Sequence, residues 1–78
     1  MATTAYVLID AAADKTKNVL GKLSKVKGVK SFHAVTGPYD IIVVVEAEDV
    51  KALGEVVLSK IRTIDGVAKT MTCVAVEA

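Results

Sequence analysis

The stretch 36-TGPYDIIVVVE-46 decides the fold, because it joins a turn to an unusually apolar strand. Gly37 and Pro38 are typical turn residues, and the five residues after Asp40 are β-branched and apolar, which favours a strand over 40–47. The preceding residues, 29-VKSFHAVT-36, also have a strand pattern, so together they predict a β-hairpin. Asp is depleted in strands, and a carboxylate at the start of this one is therefore a candidate functional group.

Two helices and two further strands flank this hairpin in the sequence pattern. A short apolar strand over 5–9 precedes a helix predicted over about 14–26, with Asp14 as its N-cap and Gly28 as its stop. A second helix is predicted to begin after Asp49 and to stop at Gly66. The last strand is predicted over about 67–76.

The resulting order, βαββαβ, repeats internally. A shift of 38 residues places Leu20 on Leu58, Gly28 on Gly66 and Val29 on Val67. Two βαβ halves of this kind predict an α+β, ferredoxin-like sandwich, in which an antiparallel four-stranded sheet carries both helices on one face. A chain of 78 residues predicts a single domain over 1–78.

The composition predicts that this domain associates with copies of itself. A chain of 78 residues has a marginal core, yet 53% of its residues are hydrophobic. The strand over 41–45 is apolar on both faces, whereas a sheet with one wet face alternates. Because the helices cover only one face, we expect a second sheet to cover the other. The sequence thus predicts a dimer of the dimeric α+β barrel type, which can assemble further into a ring.

Several classes of protein and site are not expected. No apolar run exceeds five residues, so no signal peptide or membrane span is expected and the compartment is predicted to be cytoplasmic. A net charge of +1 gives no pull toward nucleic acid. With one Cys and one His, neither an intrachain disulfide nor a structural zinc site is expected. No nucleotide-binding motif is present, and we expect no cofactor.

Three polar side chains on the predicted strands have both a structural and a functional interpretation. Asp40 either ends the turn and faces water, or holds a ligand ammonium while Gly37 lets the ligand approach the backbone. Thr70 and Thr72 are two residues apart, so their hydroxyls face one side of the strand. They are either ordinary strand residues or hydrogen-bonding groups for a small carboxylate or carboxamide.

Other candidates have weaker support. His33 is the only histidine, and in a strand without partners it is expected to be packed or interfacial. Cys73 is expected to be a small buried residue, while Tyr6 and Tyr39 are hydroxyl donors or interface residues. A cluster of lysines is expected to be a solvated face, although an acidic partner or nucleic acid is the alternative; its members are Lys15, Lys17, Lys22, Lys25, Lys27 and Lys30.

Three segments together resemble one known family. These segments, 28-GV-29, 36-TGPYDIIVVVE-46 and 66-GVAKTMT-72, are similar to the effector-binding (RAM) domain of the Lrp/AsnC transcription regulators, over about Ala5 to Val76. The resemblance implies sheet-to-sheet dimers that assemble into rings such as octamers or decamers. It also implies that a small amino acid or related metabolite binds between neighbouring dimers.

The resemblance also implies a set of ligand-binding residues. By motif match these are Gly37, Tyr39 and Asp40 in the hairpin and Thr70 and Thr72 in the last strand. Asp40 would accept hydrogen bonds from the ligand's α-ammonium, and backbone amides near Gly37 would bind its carboxylate. The same comparison implies no catalytic residues and no bound metal.

The resemblance further implies a regulatory rather than an enzymatic role. Full-length members carry an N-terminal helix-turn-helix, whereas this sequence starts with the first strand, so it resembles the stand-alone form. We therefore expect no direct DNA binding and expect co-assembly with a full-length Lrp/AsnC regulator. Two alternatives stay open: a cofactor-independent oxygenase or isomerase that uses His33 and Tyr6, and a structural assembly unit without a ligand.

Overall fold

The strands and helices follow the predicted order βαββαβ. The computed structural model describes residues 2–76. Its elements are β1 (Thr3–Ala11), a 3₁₀ turn (Ala13–Lys15), α1 (Thr16–Leu23), β2 (Val29–Ala34), β3 (Ile41–Ala47), α2 (Val50–Val56), a π-helix (Val57–Ile61) and β4 (Val67–Val74).

The four strands form one antiparallel sheet in the order β2-β3-β1-β4. Val7 in the centre of β1 lies opposite Val43 of β3 and opposite Thr72 of β4. On the other side of β3, Phe32 of β2 also lies opposite Val43. The predicted ferredoxin-like sandwich, with its two helices on one face of the sheet, is thereby confirmed.

The core lies between that face of the sheet and the helices. Strands β1 and β3 bury every second residue, as a strand with one face on the core must. These residues pack against the apolar side chains that face the sheet from the helices. The buried set is Ala5, Val7, Ile9, Val19, Leu23, Ile41, Val43, Val45, Leu53, Val57 and Ile61.

The internal repeat has a structural counterpart in two glycines. Gly28 and Gly66 have φ angles of +102° and +108°, where side-chain-bearing residues are strained. Each precedes the valine that starts a strand, Val29 or Val67. Gly66 also packs closely, since a Cβ there would lie 2.6 Å from the Cβ of Lys15. The glycines turn the chain from the helix layer back into the sheet.

Several predicted boundaries are wrong by a few residues. Asp14 is not an N-cap, because α1 is preceded by a 3₁₀ turn and has no side-chain cap. Helix α1 ends at Leu23 rather than Val26, since the chain tightens into an i→i−3 bond from Val26 N to Leu23 O of 3.1 Å. Asp49 does cap α2, accepting from Ala52 N at 2.8 Å.

The second helix also ends earlier than the glycine that was expected to stop it. Helix α2 passes into a π-helix that ends at Ile61, five residues before Gly66. Leu53, Val57 and Ile61 of this helical segment are buried, so its apolar stripe faces the core. Among the strands, β1 is longer than predicted, and β4 ends at Val74.

Candidate functional site

Asp40 connects the hairpin to the end of β1. Its Oδ2 accepts a hydrogen bond from the Ala11 N–H at 2.8 Å, where the register of β1 shifts between Asp10 and Ala11. Its own N–H donates to the Ile9 carbonyl at 2.9 Å. Among residues 2–76, Oδ1 receives no hydrogen bond. One carboxylate oxygen therefore has a structural role, and the other has no hydrogen-bond partner among the described residues.

The hairpin turn borders a cleft on the sheet face that the helices leave open. Gly37 has a φ of +148°, and a Cβ there would have no neighbour within 4 Å. Tyr39 lies over the sheet, with its hydroxyl donating to Met71 Sδ at 3.7 Å. The cleft has a volume of about 330 Å³ and is lined by Leu8, Val35, Thr36, Gly37, Pro38, Tyr39 and Ile42. Gly37 and Tyr39 therefore share one concave surface.

Thr70 and Thr72 lie on the opposite, helix-facing side of the sheet. They pair with Ile9 and Val7, whose side chains are in the core, so both threonines share one side of β4, as predicted, and this side faces the helix layer. They line a groove between β4 and the second helical segment. This groove, hereafter the β4 groove, has a volume of about 310 Å³ and is lined by Val50, Leu53, Gly54, Val57, Leu58, Arg62, Thr70, Thr72 and Val74.

The five predicted site residues therefore form two groups. The hairpin group consists of Gly37, Tyr39 and Asp40, and the strand group consists of Thr70 and Thr72. The sheet separates the cleft of the first group from the β4 groove of the second. One chain does not bring them together, so a ligand that touches both groups needs a second copy.

The open face of the sheet is apolar across its central strands. Tyr6 and Met71 are 46% and 50% exposed there, and Leu8 of β1 lies opposite both Ile42 of β3 and Met71 of β4. His33 is exposed beside Ile42 on the edge strand β2. The expectation that Cys73 is buried is wrong for one chain, because it is exposed on this same face of the edge strand β4.

Charged residues outside these two groups make few contacts within the chain. Lys15 Nζ donates to Asp65 Oδ2 at 2.7 Å, and this hydrogen bond is the main reason that the pKa of Lys15 is raised. Lys30 lies 3.8 Å from Glu46. The part of the chain that the structure describes contains no cluster of three His, Cys, Asp or Glu residues suited to a metal. No helix within residues 2–76 is long and apolar enough to cross a membrane.

Arg62 is a groove residue that the sequence analysis missed. It is the only arginine in the chain, and it lines the β4 groove together with Thr70 and Thr72. The sequence feature that could have indicated this position is its spacing of four residues from Leu58, since residues at that spacing share a helix face. Its position next to β4 depends on the tertiary fold and on the π-helix, which periodicity alone does not indicate.

Comparison with known proteins gives one family. The model of the Lrp/AsnC ligand binding domain matches residues 4–78. An uncharacterized HTH-type transcriptional regulator of Pyrococcus furiosus is 37% identical over 78 residues, which cover 96% of this chain and 52% of the regulator. The chain thus spans about half the length of the curated regulators that it matches first.

Two further matches show where else this domain occurs. The crystal structure of a protein from Thermus thermophilus superposes with a TM-score of 0.92 at 33% identity, covering 97% of this chain and 95% of that one. A homocitrate synthase of Sulfurisphaera tokodaii is 40% identical over 57 residues, which are 73% of this chain and 12% of the synthase. The domain is therefore similar both to a chain of nearly its own length and to a small part of a larger enzyme.

Proposed function

The chain belongs to the Lrp/AsnC ligand-binding domain family, and from this premise we propose that residues 1–78 form one oligomeric effector-binding module. Its ligand is a small amino acid or a related metabolite. The observation that carries this proposal is the separation of the predicted site residues: Gly37 and Tyr39, next to Asp40 in the hairpin, line the cleft, whereas Thr70 and Thr72 line the β4 groove. A ligand held between copies would use the hairpin of one copy and β4 of another.

The open face of the sheet supports the dimer in this proposal. Its large apolar side chains, including Tyr6 and Met71, are about half exposed in one chain. An exposed apolar patch of this kind usually marks an interface, and a second sheet of the same shape would cover it. Dimers would then associate into a ring such as an octamer or decamer. A monomeric mass in light scattering at micromolar concentration would contradict the dimer.

Each half of the proposed ligand site has a distinct chemical task. Asp40 Oδ1 would accept hydrogen bonds from the ligand's ammonium, and the backbone near Gly37 is open enough for a ligand to approach. Pro38 has no N–H, so Gly37 and Tyr39 are the amide donors that the turn offers. The hydroxyls of Thr70 and Thr72 would complete the site from the other copy.

We propose that the module acts in transcription regulation by co-assembling with a full-length regulator. The HTH-type regulators among its relatives support this, because this chain is similar to about half of their length. Direct contact with DNA is not part of the proposal. The exposed thiol of Cys73 suits a reducing compartment, and the proposal places the protein in the cytoplasm.

A metabolic enzyme is a second candidate partner. The observation that favours it is the match to a 12% portion of homocitrate synthase. A catalytic role for the chain itself has less support, since neither His33 nor Tyr6 lines the cleft or the β4 groove. Co-purification with a tagged regulator or a tagged synthase would distinguish the two partners.

Thermal unfolding with each of the common amino acids at millimolar concentration tests the proposed function. A ligand at 100 times its dissociation constant adds about 2.7 kcal/mol of stability per site, so the unfolding temperature should rise selectively. Asp40→Asn should abolish that rise, because it removes the charge that attracts the ammonium. The variant should stay folded, since Asn retains an oxygen that can accept from Ala11 N–H.

The choice of Asn rather than Ala at this position keeps the test specific. Asp40→Ala would also remove the 2.8 Å hydrogen bond from Ala11 N–H. A loss of binding in that variant could then result from a loss of the fold. Circular dichroism of Asp40→Asn without ligand supplies the control. A ligand that stabilises the wild type and the variant equally would contradict the role of Asp40, and no shift with any amino acid would contradict the amino-acid sensor.

A further inference from the structure

Arg62 is placed at the β4 groove by an unusual helical turn. Its N–H donates to the Val57 carbonyl at 2.9 Å, which is the i→i−5 hydrogen bond of a π-helix. Single π turns inside α-helices are frequent at functional sites. Here the π turn keeps Val57 and Ile61 in the core, while Leu58 and Arg62 line the groove.

The charge of Arg62 has no partner within the described part of the chain. Between residues 2 and 76 the ion pairs are Lys15 with Asp65 and Lys30 with Glu46. Among residues 2–76, no acidic residue lines the β4 groove. Arg62 is therefore the one charged residue among the described residues that line the groove, and the planar donors of a guanidinium match the geometry of a carboxylate. Thr70 and Thr72 add two hydroxyl donors to the same surface.

The rest of the groove is apolar and small. Its floor includes Leu53 and Val57, which are 2% and 5% exposed. Its rim includes Val50, Leu58 and Val74, which are 62%, 57% and 41% exposed, so their apolar surface is available to a ligand. A volume of about 310 Å³ is at the small end of the range for ligand pockets. A short branched aliphatic group would fill such a space.

We propose that the β4 groove binds the carboxylate of a short aliphatic acid, with Arg62 as the residue that anchors the anion. This inference rests on the proposed function and adds the orientation of the ligand. The carboxylate would lie at Arg62 of one copy rather than at the Gly37 amides, and an ammonium would lie near Asp40 of the neighbouring copy. Because no acidic residue among residues 2–76 lines the groove, a 2-oxo acid would fit it as well as an amino acid.

Calorimetric titration of the whole chain with four matched probes tests the proposal. The probes are L-leucine, 4-methyl-2-oxopentanoate, 4-methylpentanoate and L-leucinamide, of which only the last lacks a carboxylate. The three acids should bind, and leucinamide should bind about 10- to 100-fold more weakly than leucine, the loss typical of a hydrogen bond to a charged group. The ranking of leucine against the 2-oxo acid identifies which of the two sources of a carboxylate is preferred.

Arg62→Gln should weaken binding of the three acids about 10- to 100-fold and remove the discrimination against leucinamide. Arg62→Lys should lie between this variant and the wild type, because it keeps the charge but loses the planar fork. Lys60→Gln is the matched control, since Lys60 carries the same charge two residues before Arg62, inside the π-helix that Arg62 follows, but lies outside the groove. It should bind like the wild type.

Three results would overturn the assignment of Arg62: equal affinity of the wild type for leucine and leucinamide, unchanged affinity in Arg62→Gln, or the same loss in Lys60→Gln as in Arg62→Gln. Failure of all three acids to bind would overturn the aliphatic-acid site. In that case a selective rise of the unfolding temperature with another amino acid would leave the proposed function intact. If no amino acid raised the unfolding temperature, both the proposed function and the aliphatic-acid site would be contradicted.

Discussion

At the scale of single residues, Asp40 explains why a carboxylate stands at the start of an apolar strand. Its two oxygens have different surroundings: Oδ2 accepts from Ala11 N–H, and Oδ1 receives no hydrogen bond among residues 2–76. The bond to Ala11 gives a partner to an amide at the point where the pairing of β1 with β4 shifts register. The structural and functional interpretations of Asp40 are therefore compatible, because each concerns a different oxygen.

Gly66 provides a test of residue-scale packing. Gly66→Ala should destabilise the fold by about 2–4 kcal/mol, because Ala is strained at a positive φ and because the site is overpacked. The new Cβ would lie 2.6 Å from Lys15 Cβ and 3.0 Å from Val19 Cγ2. Gly21→Ala is the matched control, since a Cβ there meets nothing within 4 Å. In helix α1 it should stabilise by about 0.5–1 kcal/mol. Urea unfolding measures the free energy of unfolding of both variants. Equal changes in Gly66→Ala and Gly21→Ala would contradict this account.

The residues of the candidate site could be predicted only in part. A carboxylate before an apolar strand is visible in sequence, and so is the spacing of Thr70 and Thr72. The bond from Ala11 N–H to Asp40 is not, because it joins residues 29 apart in sequence and depends on a register shift in β1. The position of Arg62 at the groove was missed for a similar reason, since the groove forms only when β4 packs beside the helical layer.

At the scale of elements, the strands were easier to predict than the ends of the helices. Alternating and continuous apolar patterns gave all four strands, because side-chain burial follows strand period directly. The helix ends depend on hydrogen bonds that periodicity does not report. A 3₁₀ turn precedes α1 and shifts the residue at which α1 begins. A π-helix follows α2 and shifts the residue at which α2 ends.

The two predicted N-caps give a direct comparison at this scale. Asp49→Ala should cost about 0.5–2 kcal/mol of stability, because Asp49 Oδ1 accepts from Ala52 N–H at 2.8 Å. Asp14→Ala should change stability by less than about 0.5 kcal/mol, since Asp14 is exposed and makes no cap. Chemical unfolding of both variants checks this. A larger loss in Asp14→Ala than in Asp49→Ala would contradict the observed caps.

At the scale of the whole molecule, each face of the sheet borders one of the two candidate binding surfaces. The helix-facing side supplies the core and, at the edge strand β4, the β4 groove. The open side supplies an apolar surface and the hairpin cleft. Composition could predict that such a chain associates, because 53% hydrophobic residues exceed what a small interior can hold. Sequence could not predict the separation of the site residues, which follows from the sheet register.

Mixing two binding-deficient variants tests the central claim, a ligand site shared between copies. Asp40→Asn damages the hairpin half, and Thr70→Val with Thr72→Val damages the β4 half without changing side-chain size greatly. The two chains would be unfolded together, refolded at equal concentration and titrated with the effector found by the thermal panel. If each site joins two copies, random association restores about a quarter of the sites. If both halves of each site come from one chain, the mixture will restore none, and that result would contradict the account.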